Sequence, residues 1–208
     1  MKLLSVNLAV PRTVKYRGQD IPTGIFKEPV SGPVDILADQ LQGDLIADRR
    51  YHGGGAKSVY AYSADDYEFW REQLGRPLGF GAFGENLTIS GFSTADACVG
   101  DVLAVGAARL QAVQPREPCY KLGLKFEDNK LIKRFLDAER WGVYFRVLTP
   151  GPVAAGDAAR WETRDPGRVS IVALGRVILG LDRDPALRAR VLALETLDPS
   201  VRGALEAR

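Results

Sequence analysis

Residues 99–119 read VGDVLAVGAARLQAVQPREPC. Val102–Val105 and Arg109–Val113 are short extended runs. In the second, Leu110 and Ala112 fall on one face and Arg109 and Gln111 on the other, the period of a half-buried strand. Pro115 and Pro118 then break the pattern. Proline restricts the backbone, so this segment is suited to holding Cys119 out from a fixed loop.

The same pattern extends outward. Val99-Gly100-Asp101-Val102 is echoed by Ala155-Gly156-Asp157-Ala158, which we read as two similar barrel turns. Leu4, Val6, Leu8 and Val10 alternate with small or polar residues. Further extended pieces are expected at Thr23–Phe26, Val34–Leu37, Leu45–Asp48, Asn86–Ile89, Gly142–Leu148 and near Ala158–Thr163, with a turn over Lys15–Asp20. Ser63, with Asp66 three positions on, opens a helix bearing Tyr67, Trp70 and Leu74 on one face, and Gly75 stops it. A second helix is expected over Asn129–Ala138. The 22 Gly and 12 Pro are dispersed, which favours a turn-rich β protein over a bundle.

The pattern changes after Asp165-Pro166-Gly167. Ser170 can cap Ile171–Leu179, with Gly180 closing that helix. Asp184-Pro185 and Asp198-Pro199 each read as an N-cap followed by Pro at the first helical position. The fold class expected is mainly β (α+β): a β-barrel over residues 1–165, with a few surface helices, and a three-helix appendage over residues 166–208. Leu187, Val191 and Leu194 form an apolar stripe suited to covering the barrel or a second subunit, so a homodimer is open.

At 208 residues the chain needs neither a disulfide nor a metal to fold. Its net charge of +2 gives no argument for nucleic acid. One histidine and two cysteines exclude a zinc finger, a three-His zinc site and an iron–sulfur cluster held by four cysteines of one chain. The N-terminus reads as a strand, no run approaches a membrane span, and a cytoplasmic location with reduced thiols is expected.

Cys119 carries the strongest chemical signal, because Arg116 and Lys121 beside it favour the nucleophilic, metal-binding thiolate. A buried structural cysteine is the competing reading. His52-Gly53-Gly54-Gly55-Ala56-Lys57 offers backbone N–H groups and a lysine to an anion, without P-loop spacing. A flexible turn would read the same. In Gly79–Leu87, glycines interleave with phenylalanines and Asn86 has an amide for a ligand or for its own backbone. Arg12, Arg49, Arg50, Arg116 and Arg146 are phosphate candidates. Arg146 interrupts an apolar strand, as it would beside a polar interior. Cys98 reads as structural.

GDLIAD (Gly43–Asp48), HGGGAKSVYAY (His52–Tyr62), FGENL (Phe83–Leu87), Gly100-Asp101, QPREPCYKL (Gln114–Leu122) and GVYFRV (Gly142–Val147) in this order resemble MOSC-domain proteins, and within them the YiiM-like branch. The resemblance spans nearly the whole chain. It departs at Gly55 and Ala56, where relatives carry Pro and Asp, at Ser58, where Ala is usual, and at Ser200-Val201-Arg202, where a Trp is absent. It implies a MOSC β-barrel holding molybdenum cofactor, with Cys119 as the molybdenum ligand, and reduction of N-hydroxylated, hydroxylaminopurine-type compounds to amines. Lys57, Asn86, Arg50, Arg116, Arg146, Gly53 and Gly54 are then the expected cofactor contacts, and His52 a candidate proton donor beside Cys119. With no nucleotide fingerprint in the chain, the electrons would come from a separate reductase, a flavoprotein. Three other readings stay open: a cofactor or sulfur carrier without turnover, a hydrolase pairing Cys119 with His52, and a nucleic-acid face of arginines on the last helices.

Overall fold

The computed structural model describes residues 1–45 and 55–207. Twelve strands occur among them: β1 Lys2–Ala9, β2 Arg12–Tyr16, β3 Gln19–Thr23, β4 Lys27–Pro29, β5 Val34–Ile36, β6 Val59–Ser63, β7 Leu87–Ser90, β8 Val102–Val105, β9 Ala108–Pro115, β10 Val143–Thr149, β11 Gly151–Val153 and β12 Ala159–Thr163. The helices are α1 Asp66–Leu74, α2 Tyr120–Phe126, α3 Leu131–Ala138, α4 Ile171–Ile178, α5 Pro185–Leu192 and α6 Pro199–Glu206, with a 3-10 turn at Gly55–Lys57.

Eight strands form one mixed sheet in the order β12-β8-β9-β10-β6-β7-β1-β4, in which only β6 and β7 run parallel. The sheet curls until β1 meets the chain entering β12. Lys2 bridges Ala158, and the Leu3 N–H donates to Asp157 O at 2.9 Å. That seam is an isolated bridge and not a ladder. The closed β-barrel expected from the strand pattern is therefore corrected to a curled α+β sheet, because β1 spends its ladder bonds on β7 and β4. Two small sheets, β5–β11 and β2–β3, complete the strands. The β2–β3 hairpin turns through Arg17 (φ 50°) and Gly18 (φ 78°), both positive as a tight two-residue hairpin requires.

The local signals act as their chemistry demands. Ser63 Oγ accepts from Asp66 N at 3.3 Å and Gly75 ends α1 in the left-handed region. Ser170, Asp184 and Asp198 each cap their helix through the side chain. Three expectations shift. The Lys15–Asp20 turn narrows to Arg17-Gly18, with Lys15-Tyr16 in β2 and Gln19-Asp20 in β3. Thr23–Phe26 is not a strand of its own; Thr23 ends β3 and Lys27 opens β4. Helix α2 follows directly on the proline-rich break, which had been read only as a loop. The Leu45–Asp48 segment extends outside the described residues.

Two apolar clusters hold these parts together. One runs from Leu3, Val6 and Phe145 of the sheet into Val191, Leu194, Val201 and Leu205 of α5, α6 and their connection. The Leu187–Val191–Leu194 stripe thus packs on its own chain, and the core is continuous across residue 165. The second is aromatic: Tyr62, Tyr67, Trp70, Phe83, Phe135 and Trp141 lock α1 and α3 onto β6. Gly175 of α4 sits against Trp141, where an added Cβ would come within 2.3 Å of the indole. Among the described residues no helix is long and apolar enough to cross a membrane.

Candidate functional site

The site forms where β9 ends. Pro115 is the last strand residue, and Arg116 follows, buried at 4% exposure. Cys119 takes extended backbone angles as the residue before α2, its side chain makes no cap bond, and its thiol is free and half-buried. The next residue, Tyr120, stacks on Tyr16 of the β2–β3 hairpin with ring centroids 4.3 Å apart. The hairpin therefore lies beside the cysteine loop.

Arg116 is the unusual group. Its guanidinium carbon lies 5.3 Å from the Tyr60 ring centroid, and Nη1 is buried with no hydrogen-bond partner among the described residues. Burial opposes its charge, but Tyr60, Tyr144 and Cys119 around it favour the charge, and the balance lies above the ordinary arginine value. Burial pushes the Tyr60 and Tyr144 hydroxyls up, with Arg116 pulling the other way, so both stay protonated. A buried donor without a partner costs about 1–3 kcal/mol, which a bound anion or polar ligand would recover.

Two half-buried lysines lie within electrostatic reach. Lys27 is ion-paired to Asp44, and burial pulls its pKa down against that pairing. Lys125 of α2 donates to Ile25 O at 3.0 Å and to Gly81 O at 2.7 Å. Burial lowers it to about 7, with Glu85 opposing and Arg116, Lys27 and Arg12 reinforcing. Arg116, Lys27 and Lys125 thus face Asp44 and Glu85, an excess of one positive charge when all are ionised.

The loop before β7 is the scaffold. Glu85 is fully buried; Oε1 accepts from Gly81 N at 2.8 Å, from Thr88 Oγ1 at 2.9 Å and from the Tyr67 hydroxyl, while Oε2 accepts from Phe83 N at 3.1 Å. Gly81 has φ +84°, and an added Cβ would sit 2.5 Å from Lys27 O, so the loop closes only with glycine there.

The sequence candidates separate into groups. Cys119 and Arg116 come together. Asn86, expected to meet a ligand, is engaged by the protein: Oδ1 accepts from Tyr60 N at 3.2 Å and Nδ2 donates to Asp44 at 2.8 Å and to Asn7 O at 3.4 Å. Arg146 is turned to the appendage, where Nη2 meets Asp198 Oδ2 at 2.7 Å. Lys57, in the 3-10 turn, lines a cavity with Gln114 and Glu117. Arg12 pairs with Glu28 at 3.2 Å. Cys98, expected to be structural, is buried: its N–H donates to Asp101 Oδ2 at 2.9 Å, and burial, then Asp101, push its thiol up. His52, Arg49, Arg50, Gly53 and Gly54 lie outside the described residues. Tyr60, Tyr144, Lys27, Asp44, Glu85 and Lys125 were not anticipated. For Lys125 no sequence signal existed, because α2 itself was not foreseen.

The MOSC domain model matches residues 48–160, a span that holds the cysteine loop and its supporting strands. The chain belongs to the MOSC-domain family. Protein YflK of Bacillus subtilis (strain 168) is 37% identical over 200 residues, covering 96% of this chain and 90% of YflK. A protein of Gibberella moniliformis (strain M3125 / FGSC 7600) named reductase is 34% identical over 165 residues, 77% of this chain but only 29% of that reductase. The crystal structure of YiiM from Geobacillus stearothermophilus superposes with a TM-score of 0.83 at 30% identity, covering 99% of this chain and 97% of that one. This MOSC protein is thus YiiM-like over its whole length, appendage included. The reductase name supports a reductase role at the level of the family.

Proposed function

We propose that this MOSC protein binds molybdenum cofactor at the Cys119 loop and reduces N-hydroxylated compounds, including hydroxylaminopurine-type bases, to amines. The observation that carries the reading is the unpartnered Nη1 of buried Arg116, on the loop that ends in free Cys119. Among the described residues no group of three or more His, Cys, Asp or Glu could hold a metal ion. A metal would therefore arrive within a larger ligand, to which the chain adds a soft sulfur donor and cationic anchors.

Such a reduction converts R–NHOH, two electrons and two protons into R–NH2 and water. Bound cofactor supplies the two-electron redox capacity that no side chain here has. Cys119 would ligate the metal, and Arg116 would hold an anionic or carbonyl part of the cofactor. Lys57, with Arg50, Gly53 and Gly54 of the glycine-rich segment, would complete the phosphate contacts. Asn86 acts indirectly, fixing the Tyr60 backbone beneath Arg116, and Arg146 positions α6. His52, the only imidazole in the chain, would deliver a proton near neutral pH. Electrons would come from a separate flavoprotein; the match to less than a third of the fungal reductase supports a MOSC segment that works beside other protein.

The test is molybdenum and pterin content after expression in a cofactor-competent host, wild type beside Cys119→Ala. Near-stoichiometric molybdenum that falls at least tenfold in the variant is expected. Absence of both in wild type, even after incubation with free cofactor, would overturn the reading.

A further inference from the structure

The β2–β3 hairpin stands apart from the main sheet. Among the described strands the two pair only with each other, and Thr23 is the one buried residue they contain. The stem is fixed. Val10 N donates to Phe26 O at 2.7 Å across the neck, and Gly24 runs so close to its neighbour that an added Cβ would lie 2.2 Å from Leu45 O. The tip is held by side chains of α2. Tyr16, the last residue of β2, stacks on Tyr120 with ring centroids 4.3 Å apart and planes 27° apart. Lys121 donates to Pro22 O of β3 at 3.5 Å, and Lys125 to Ile25 O of the stem at 3.0 Å. Tyr120 and Lys121 directly follow Cys119, so the hairpin is seated on the first turn of the helix that the thiol precedes.

A two-stranded hairpin is marginally stable by itself, so its place on the molecule depends on that seat. Segments with few buried contacts and exposed hydrogen bonds are the first to open. We propose that this hairpin is a hinged cover on the Cys119 loop: it turns about the Val10–Phe26 neck, the Tyr16–Tyr120 stack latches it shut, and its position sets the size of molecule that reaches the thiol. An aromatic pair shifts such an equilibrium by about two- to tenfold. That is enough to favour the closed form and little enough to release it. Coupling between two sites is reciprocal, so a large group attached to Cys119 must in turn favour the open hairpin. The cover acts on the thiol whatever the thiol holds, and so stands apart from the molybdenum reading.

The two thiols report the cover directly. Alkylation by N-ethylmaleimide and by the bulkier fluorescein maleimide is timed separately at Cys119 and Cys98 by peptide mass spectrometry, on the whole chain without cofactor. Cys98, at 3% exposure, is the internal reference. Tyr16 is only half-buried, so Tyr16→Ala spares the core. It should raise the fluorescein maleimide rate at Cys119 at least threefold, raise the N-ethylmaleimide rate less, and leave Cys98 unchanged. Tyr16→Phe keeps the stacked ring and should keep wild-type rates. A second measurement needs no substitution. Wild-type chain carrying fluorescein on Cys119 should exchange the backbone amides of residues 12–23 at least threefold faster than chain carrying N-ethylmaleimide there. Rates at Cys119 that Tyr16→Ala leaves unchanged, or that rise equally for both reagents or together with Cys98, overturn the cover. Equal exchange in the two adducts overturns it as well. A size-selective gain in a protein that takes up no molybdenum removes the proposed function and leaves the cover standing.

Discussion

Two neighbouring loops bury polar groups and treat them in opposite ways. In the loop before β7, the Glu85 carboxyl accepts from two backbone N–H groups and two hydroxyls, and the network runs on through Thr88 to Asn7 and Ser5. Every buried group there has a protein partner, so this loop is a finished piece of scaffold. In the segment from Gln114 to Cys119, buried Arg116 Nη1 has no partner among the described residues. Native proteins rarely leave buried polar groups unpaired, so each such group calls for an explanation. Burial alone does not distinguish the two loops; hydrogen-bond satisfaction does.

The comparison breaks most visibly at Glu85. Glu85→Ala strips four donors of their acceptor in a fully buried site, and should cost about 3–5 kcal/mol, read as a shift of the urea midpoint. Arg116→Met should behave in reverse. It removes a buried guanidinium with one unpartnered nitrogen and keeps much of the side-chain volume, so stability should change by less than about 1 kcal/mol or rise. Molybdenum retention should fall at least tenfold in the same variant. If Arg116→Met unfolds the protein as readily as Glu85→Ala, the two loops are alike and both are scaffold.

The sequence carried the local grammar well. Alternation at Arg109–Val113, the Asp-Pro caps and the Ser63 and Gly75 signals are short-range physics, and each produced the element it specifies. Barrel closure was not legible, because it depends on how β1 divides its bonds among β7, β4 and the chain before β12, partners far apart in sequence. The site divided likewise. Cys119 and Arg116 share one short motif, so the sequence itself sets them side by side. The Asn86 amide is visible in the sequence, but its partners Asp44 and Asn7 lie on other segments, so their claim on it appears only in three dimensions. Arg146 reads as an odd charge in a strand and Asp198 as a helix cap; their pairing across sequence distance appears only in the fold.

Lys125 spans the two loops and gives the smallest effect. It belongs to the helix that follows Cys119, and its ammonium donates to Gly81 O in the Glu85 loop. In the folded protein it titrates at about 7, down from 10.5, chiefly because burial disfavours the charge. Between these values the unfolded chain binds a proton that the folded chain does not, so stability should rise with pH across the window, by at most about 1.4 kcal/mol per pH unit. Lys27, also lowered by burial, adds a contribution of the same sign. Above about pH 10 the slope should reverse, because burial holds Tyr60, Tyr62 and Tyr144 protonated in the fold beyond the pH at which the unfolded chain ionises them. Urea midpoints at pH 7, 8 and 9 should climb in wild type and climb less in Lys125→Met, with the residue of the slope left to Lys27. An equal climb in both proteins would mean that Lys125 keeps its ordinary charge and belongs with the satisfied scaffold, leaving Arg116 alone on the unsatisfied side.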